Sequence, residues 1–297
     1  FKPEDKKTNT DVFPDFSQPA IQVTSNSKLL DEIIEKSRLL EEPPQNAKLD
    51  KVWKKTPGRN GLKVNVEKSF EKMNKLGKFD KSKLVFDEVA PEITFDDLPP
   101  SPVYRGHPEK NMVALLINVA WGEENLPTIL SILKEHRVKA NFFIEGKWAS
   151  KQTKLVKMIK EEGHVIGNHA YNHPDMSKMN TEQSKQQIKK TNDIITAITG
   201  DTPKWFAPPS GSYNEQVVTT ASKLGMETVL WTVDTIDWQK PSTTVLVNRV
   251  KNKIHPGATI LMHPTKVVAQ SLDQLLLHIE QEGYKIGTLD KLMSEKR

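Results

Sequence analysis

The chain has 297 residues, with 43 Lys and Arg against 38 Asp and Glu, so its net charge at pH 7 is +5. This small excess is spread along the chain and argues against nucleic-acid binding through charge alone. The sequence has no apolar run of 18 residues, which excludes a transmembrane span in this chain. It also has no cysteine, which excludes disulfides, cysteine nucleophiles and thiolate metal sites.

The first 90 residues predict a tether followed by a small module. Residues 1–24 are polar, contain three prolines and lack periodicity, which predicts a flexible tether. Residues 25–90 combine apolar residues at helical spacing with short alternating stretches. They predict a small α+β module with helices near 29–40 and 66–76 and strands near 62–66 and 83–86.

Residues 91–108 contain five of the chain's 19 prolines. That density predicts an extended, semi-rigid linker and a domain boundary. The remaining residues, 109–297, predict a second and larger domain.

In the larger domain, short apolar runs alternate with amphipathic helical patterns, which is typical of a parallel sheet. This many units in about 190 residues favours a closed or nearly closed (β/α) barrel, whose active site lies at the carboxyl ends of its strands. The predicted strands are 112–119, 140–144, 164–167, 227–233, 258–262 and 285–286. The predicted helices are 126–136, 155–162, 181–199, 243–253 and 272–282.

Residues able to do chemistry follow several of these strands. His169 and His173, four residues apart, follow the third strand, and this spacing suits one metal ion if the loop turns tightly. His263 follows the strand that ends at Met262. The remaining clusters are Asp234-Thr235-Ile236-Asp237-Trp238 and Ala207-Pro208-Pro209-Ser210-Gly211.

With these motifs, the chain from about Lys110 onward resembles the NodB-type polysaccharide deacetylases, the family-four carbohydrate esterases. The resemblance implies a distorted (β/α) barrel that removes N-acetyl groups from chitin-like or peptidoglycan glycans, using zinc or another divalent metal ion. It also implies a role for each matching residue. The histidine pair, His169 and His173, would bind the metal, and His263 would be the catalytic acid. Asp237 would be catalytic, and the glycan would contact Pro208, Pro209, Trp121 and Trp238.

The first motif of that family, Thr-Phe-Asp-Asp-Gly, supplies a general base and a metal ligand. Counting back from Pro127 aligns it with Leu116-Ile117-Asn118-Val119-Ala120, so Asn118 occupies the base position and Val119 the third-ligand position. An amide is not a base at neutral pH and a valine donates nothing to a metal. Ala207 replaces the arginine that fixes the catalytic carboxylate in the family. Metal binding is therefore expected to be weak or absent, and catalysis impaired or lost.

Two alternatives bear on this expectation. Glu123, Glu124 or Glu145 could supply a replacement carboxylate, although acidic groups also favour the start of a helix. A literal Thr-Phe-Asp-Asp at 94–97 is interpreted as a chance match, because it lies in the predicted linker.

The layout of both modules resembles the YlxY-type, sporulation-associated subgroup of Bacillus. It implies a secreted or cell-envelope protein whose upstream signal or anchor is missing from this sequence, and whose partner is a cell-wall or chitin-like glycan. The sequence leaves three functions open: a deacetylase with altered machinery, a non-catalytic glycan-binding protein, or a scaffold in spore assembly.

Overall fold

A computed structural model describes residues 19–297, so most of the predicted tether lies outside the described residues. The chain forms two compact units. The smaller contains the described residues up to Pro43 together with Gly61–Val89, and the larger contains Pro44–Asn60 and Ala90–Arg297. Residues 44–60, expected in the small module, and residues 91–108, expected as a linker, therefore group with the larger unit.

Between residues 19 and 99 the structure has two α-helices and four short strands. In chain order these are α1 (Pro19–Ser37), β1 (Lys48–Asp50), β2 (Lys54–Thr56), β3 (Gly61–Val64), α2 (Val66–Asn74) and β4 (Phe86–Val89). The antiparallel pair of β3 and β4 belongs to the smaller unit, and the antiparallel pair of β1 and β2 to the larger. The core of the smaller unit is formed by Leu29, Ile33 and Met73, which are all buried.

Three predictions for this region differ from the structure. Helix α1 starts at Pro19, inside the predicted tether, and a proline is well tolerated in the first helical turn. The predicted strand at 83–86 starts only at Phe86, because Lys81–Lys83 form a 3₁₀ turn capped by the side chain of Asp80. Strands β1 and β2 are rich in lysine and were not predicted.

The larger unit alternates strands with helices. Its remaining strands are β5 (Met112–Val119), β6 (Asn141–Ile144), β7 (Val165–Asn168), β8 (Trp205–Phe206), β9 (Glu227–Thr228), β10 (Val233–Asp234), β11 (Thr259–Met262) and β12 (Lys285–Ile286). Its helices are α3 (Leu126–Glu135), α4 (Gly146–Lys151), α5 (Thr153–Glu161), α6 (Thr181–Thr199), α7 (Glu215–Lys223), α8 (Thr243–Lys251), α9 (Lys266–Gln281) and α10 (Leu289–Met293). None of the helices within residues 19–297 is long and apolar enough to cross a membrane.

The strands form one curled parallel sheet in the order β10-β11-β5-β6-β7-β8-β9, with β12 pairing the start of β5. The two outer strands, β9 and β10, do not pair with each other in the described chain, so the barrel is distorted and open. The single predicted strand at 227–233 is in fact split into these two strands. Val103 pairs beside β9, where its N–H donates to the Thr228 carbonyl at 2.9 Å and its carbonyl accepts from Leu230 N–H at 2.8 Å.

Side chains on β5 alternate between two layers. Val113, Leu115, Ile117 and Val119 belong to the large apolar cluster that contains the buried faces of helices α3 and α9. Ala114 and Leu116 face the opposite way, into a second cluster with Phe143 and Trp205. Because successive residues of a strand point to opposite faces, this alternation fixes which residues of β5 can reach the barrel interior.

Candidate functional site

A cavity of about 440 Å³ lies at the carboxyl ends of the parallel strands. Active sites of parallel barrels occur at this end. The sequence-predicted residues that line it are Asn118, Trp121, His169, His173, Trp238 and His263. Five further residues line the cavity and were not among the predicted site residues: Ala120, Ser210, Trp231, Asp234 and Leu261.

The histidine pair follows strand β7 on a tightly turned loop. His169 is buried and its Nδ1–H donates to the Ala207 carbonyl at 2.7 Å, which leaves Nε2 with the free lone pair. Its ring centroid lies 5.1 Å from that of His173. Burial, assisted by the neighbouring His173, lowers the pKa of His169 to about 3, and burial also lowers the pKa of His173. Both rings are therefore neutral near pH 7, as metal-binding imidazoles must be.

The side chain of Asn168 holds this loop in place. Its Nδ2 donates to the Ile188 carbonyl and to Asn192 Oδ1, both at 2.8 Å, and its Oδ1 accepts from Ala170 N–H at 2.8 Å. Ala170 and His173 both adopt positive φ angles, of 59° and 58°. The geometry of the histidine pair is thus fixed by a buried amide that is fully hydrogen-bonded.

A second polar network joins the turn after β10 to the turn after β11. Asp237 is completely buried, and its carboxylate accepts from the hydroxyls of Thr235 and Thr265 at 2.9 and 2.8 Å. It also accepts from the backbone N–H of His263 at 3.2 Å and lies 3.0 Å from His263 Nδ1. This contact holds the imidazole with Nδ1 protonated.

Strand β5 places the predicted first-motif residues differently from the sequence alignment. Asn118 lines the cavity, is 4% exposed, and its Oδ1 has no hydrogen-bond partner. Val119 is fully buried in the cluster on the helix-facing side and does not line the cavity, so its position does not support the prediction that it stands at a metal-ligand position. Two successive residues of one strand cannot both face the interior. Ala120, on the same face as Asn118, lines the cavity instead. The alternation of side chains along β5 could have identified Ala120 as a cavity residue from the sequence.

Of the four predicted glycan-contact residues, two line the cavity and two do not. Trp121 and Trp238 line the cavity and are 47% and 55% exposed. Pro208 and Pro209 are buried and do not line it, because the turn presents Ser210 there, with a φ of 55°. The prediction that these prolines contact a ligand in the cavity is therefore not supported by their positions. Ala207 is buried in the interior cluster.

The alternative carboxylates lie outside this cavity. Glu145 is buried and does not line it, and burial raises its pKa. Glu123 accepts from Trp148 Nε1 at 3.3 Å, and Glu124 lines a neighbouring cavity. Asp97, of the literal Thr-Phe-Asp-Asp, caps its own 3₁₀ turn through Thr94. The carboxylate that does line the cavity is Asp234, whose Oδ1 accepts from Ile236 N–H at 2.8 Å.

These residues do not form a conventional catalytic metal centre. Catalytic zinc is normally held by three protein ligands. Between residues 19 and 297, no three His, Cys, Asp or Glu side chains are grouped so that they could hold a metal ion. The pair of neutral histidines is thus short of one donor.

Comparison with known proteins identifies the family. The polysaccharide deacetylase model matches residues 88–229. An uncharacterized protein, YlxY of Bacillus subtilis, is 52% identical over 273 residues, which cover 92% of this chain and 86% of that protein. A peptidoglycan-N-acetylglucosamine deacetylase of Bacillus cereus is 35% identical and aligns with 65% of this chain and 72% of its own.

A solved structure from Bacillus anthracis, described as a family 4 carbohydrate-esterase pseudoenzyme, superposes with a TM-score of 0.86 at 49% identity. The match covers 91% of this chain and 96% of the other. A mutant of that pseudoenzyme, with a TM-score of 0.87, is described as having restored enzymatic activity. The chain therefore belongs to the polysaccharide deacetylase family, the family 4 carbohydrate esterases.

Proposed function

We propose that this chain binds an N-acetylated cell-wall glycan in the cavity and deacetylates it weakly or not at all. One observation carries the proposal: the β5 side of the cavity presents Asn118, Ala120 and Trp121, none of which is a carboxylate. Deacetylation by metal-assisted hydrolysis needs a base for the attacking water and a complete metal site. The cavity keeps residues that can contact a sugar, and its β5 side lacks the carboxylates that would activate water and complete the metal site.

We assign the degenerate positions from the geometry of β5. Aligning the motif Thr-Phe-Asp-Asp-Gly with residues 118–122 puts its aromatic residue at buried Val119. Its base then falls at Ala120 and its metal ligand at Trp121. The motif's glycine falls at Gly122, which has a φ of 84°. A Cβ on Gly122 would lie 2.3 Å from the Pro264 carbonyl oxygen, so a glycine is required there.

The names of the relatives support the glycan class and the loss of activity. The Bacillus cereus relative is a peptidoglycan deacetylase, and the Bacillus anthracis structure is a pseudoenzyme. We extend both descriptions to this chain, together with a cell-envelope or secreted location and a role in sporulation. Any zinc or other divalent ion would be held by His169 and His173 and would be bound weakly.

The presence of Asp234 in the cavity favours a second candidate function, that of an active deacetylase with altered catalytic residues. Its carboxylate could act as the base or supply the missing ligand after a side-chain rotation, since one Oδ1 contact to Ile236 N–H holds it. The experiment that separates the two candidates measures acetate release from N-acetylglucosamine oligomers and from peptidoglycan fragments, with added zinc or cobalt. We expect no release. Release that is lost in both His169→Ala and Asp234→Asn would establish the second candidate.

A further inference from the structure

Trp121 lies beside His263, the residue at the predicted acid position. Its ring centroid is 5.9 Å from that of His263, and the two ring planes differ by 9°, so the rings are stacked. The indole is 47% exposed, and the His263 side chain keeps 20% of its surface exposed. A half-exposed tryptophan with a flat, apolar outer face is costly in water and is typical of a binding surface.

The Trp121–His263 stack is rigidly supported. Asn125 Nδ2 donates to the Pro264 carbonyl at 3.0 Å, which ties the turn after β5 to the turn after β11. The close approach of Gly122 to Pro264 brings these turns together. Asp237 fixes His263 from the other side through its Nδ1 and backbone N–H. A ligand that packs on Trp121 would thus meet an ordered surface, which lowers the entropic cost of binding.

A second cavity, of about 640 Å³, adjoins this stack. Trp121 and Trp238 line both cavities, so the two form one groove divided by a pair of exposed indoles. The second cavity is also lined by acidic, basic and amide side chains, all of which can hydrogen-bond to the hydroxyl groups of a sugar. They are Glu124, Asn125, Lys240, Lys266 and Gln270. We call Trp121 and Trp238 the tryptophan bridge.

We infer that the second cavity is an additional glycan-binding subsite and that the tryptophan bridge supports a chain of several sugars across both cavities. The apolar face of one pyranose ring would stack on Trp121, and the next sugars would hydrogen-bond in the second cavity. At this position the Trp121 side chain contributes binding surface and no chemistry. This inference rests on the proposed function.

The test compares N-acetylglucosamine oligomers from the dimer to the hexamer by titration calorimetry. For the wild-type chain we expect affinity to rise with oligomer length. For Trp121→Ala we expect the hexamer affinity to fall at least about tenfold and the dependence on length to flatten, since truncation of a central tryptophan contact commonly costs that much. Trp121→Phe should retain an intermediate affinity. Leu277→Ala removes a side chain of similar exposure (44%) on helix α9 and should leave binding unchanged.

The outcomes separate the inference from the proposed function. Hexamer binding with the same affinity and length dependence in Trp121→Ala would overturn the inference and leave the proposed function standing. Wild-type binding that is equal for dimer and hexamer would also overturn it. No binding of any oligomer by the wild-type chain would overturn the proposed function and the inference together. Melting temperatures of the variants establish that each chain is folded.

Discussion

The two sides of the cavity differ in how their residues are tied to the fold. On one side His169, His263 and Asp237 are held by hydrogen bonds to the backbone and to neighbouring side chains. On the β5 side Asn118 Oδ1 has no partner, and Ala120 has no polar group. Buried polar groups that complete a network are costly to lose, whether or not they catalyse. Survival of Asp237 and His263 is therefore weak evidence for catalysis.

The largest expected effect tests which residues of β5 belong to the cavity. Val119→Asp would bury a carboxylate in the apolar cluster, and we expect it to lower the free energy of unfolding by about 4 kcal/mol or more, or to prevent folding. Ala120→Asp points into the cavity and should cost less than about 1 kcal/mol. Urea unfolding of both variants measures the difference. Equal costs would contradict the assignment of the two faces.

The next effect tests whether Asp237 is structural. Asp237→Ala removes a fully buried acceptor of hydrogen bonds from Thr235, Thr265 and His263, and should cost about 3 kcal/mol in unfolding free energy. Asp234→Ala, a partly exposed carboxylate with one backbone contact, serves as the matched control and should cost about 1 kcal/mol. If both cost the same, the network does not stabilise the fold as argued.

Restoring carboxylates on the β5 side should complete the metal site. In the double variant Ala120→Asp, Trp121→Asp, we expect zinc to bind at least about tenfold more tightly than in the wild type, because a third ligand joins the histidine pair. Calorimetry or competition with a chromogenic chelator measures this. The same double variant carrying His169→Ala should lose the gain. An equal gain in Asn118→Asp alone would contradict the assignment of the ligand position to Trp121.

A smaller effect is expected on the stability of the fold at acid pH, and it comes from a histidine outside the cavity. His164 lies outside the cavity, is 5% exposed and accepts from Ala140 N–H through Nδ1 at 3.1 Å; burial lowers its pKa to about 4. The unfolded chain binds a proton at His164 near pH 6.5, so stability falls as pH drops from about 6.5 toward 4. We expect a loss of about 1 kcal/mol per pH unit from this group.

The measurement is the urea midpoint between pH 7 and pH 4.5 for the wild type and for His164→Asn, which keeps an acceptor for Ala140. The variant should show a shallower loss of stability. Parallel curves for the two chains would mean that His164 does not set the acid dependence.

Periodicity predicted the elements that are long enough to bury a face. Strand β5 and helix α6 have the predicted bounds, because an eight-residue strand with seven apolar residues and a helix of five turns each give a strong pattern. Strands β9 and β10 have two residues each and lie at the two ends of the single strand predicted at 227–233. Strand β8 also has two residues and was not predicted, because it depends on pairing with its neighbours rather than on a local pattern. Helix α10 is held by tertiary contacts through Leu289 and Leu292 and was missed for the same reason.

The candidate site was partly predictable. Residues that follow strands converge at one end of a parallel sheet, so His169, His173 and His263 could be grouped from sequence. The register at the end of β5 could not be fixed by counting from Pro127, because the turn at Gly122 separates the strand from the helix. Nor does the sequence reveal that Pro208 and Pro209 turn inward and expose Ser210, which takes a positive φ.

The most direct test of the central claim measures binding and turnover on the same ligand. The chain is saturated with the N-acetylglucosamine hexamer in the presence of zinc, its affinity is measured by calorimetry, and the recovered ligand is analysed for free acetate and free amines. The Bacillus cereus deacetylase serves as the active reference. We predict that the hexamer binds and is recovered fully acetylated. Acetate release at a rate comparable to the reference, abolished in His169→Ala, would contradict the account.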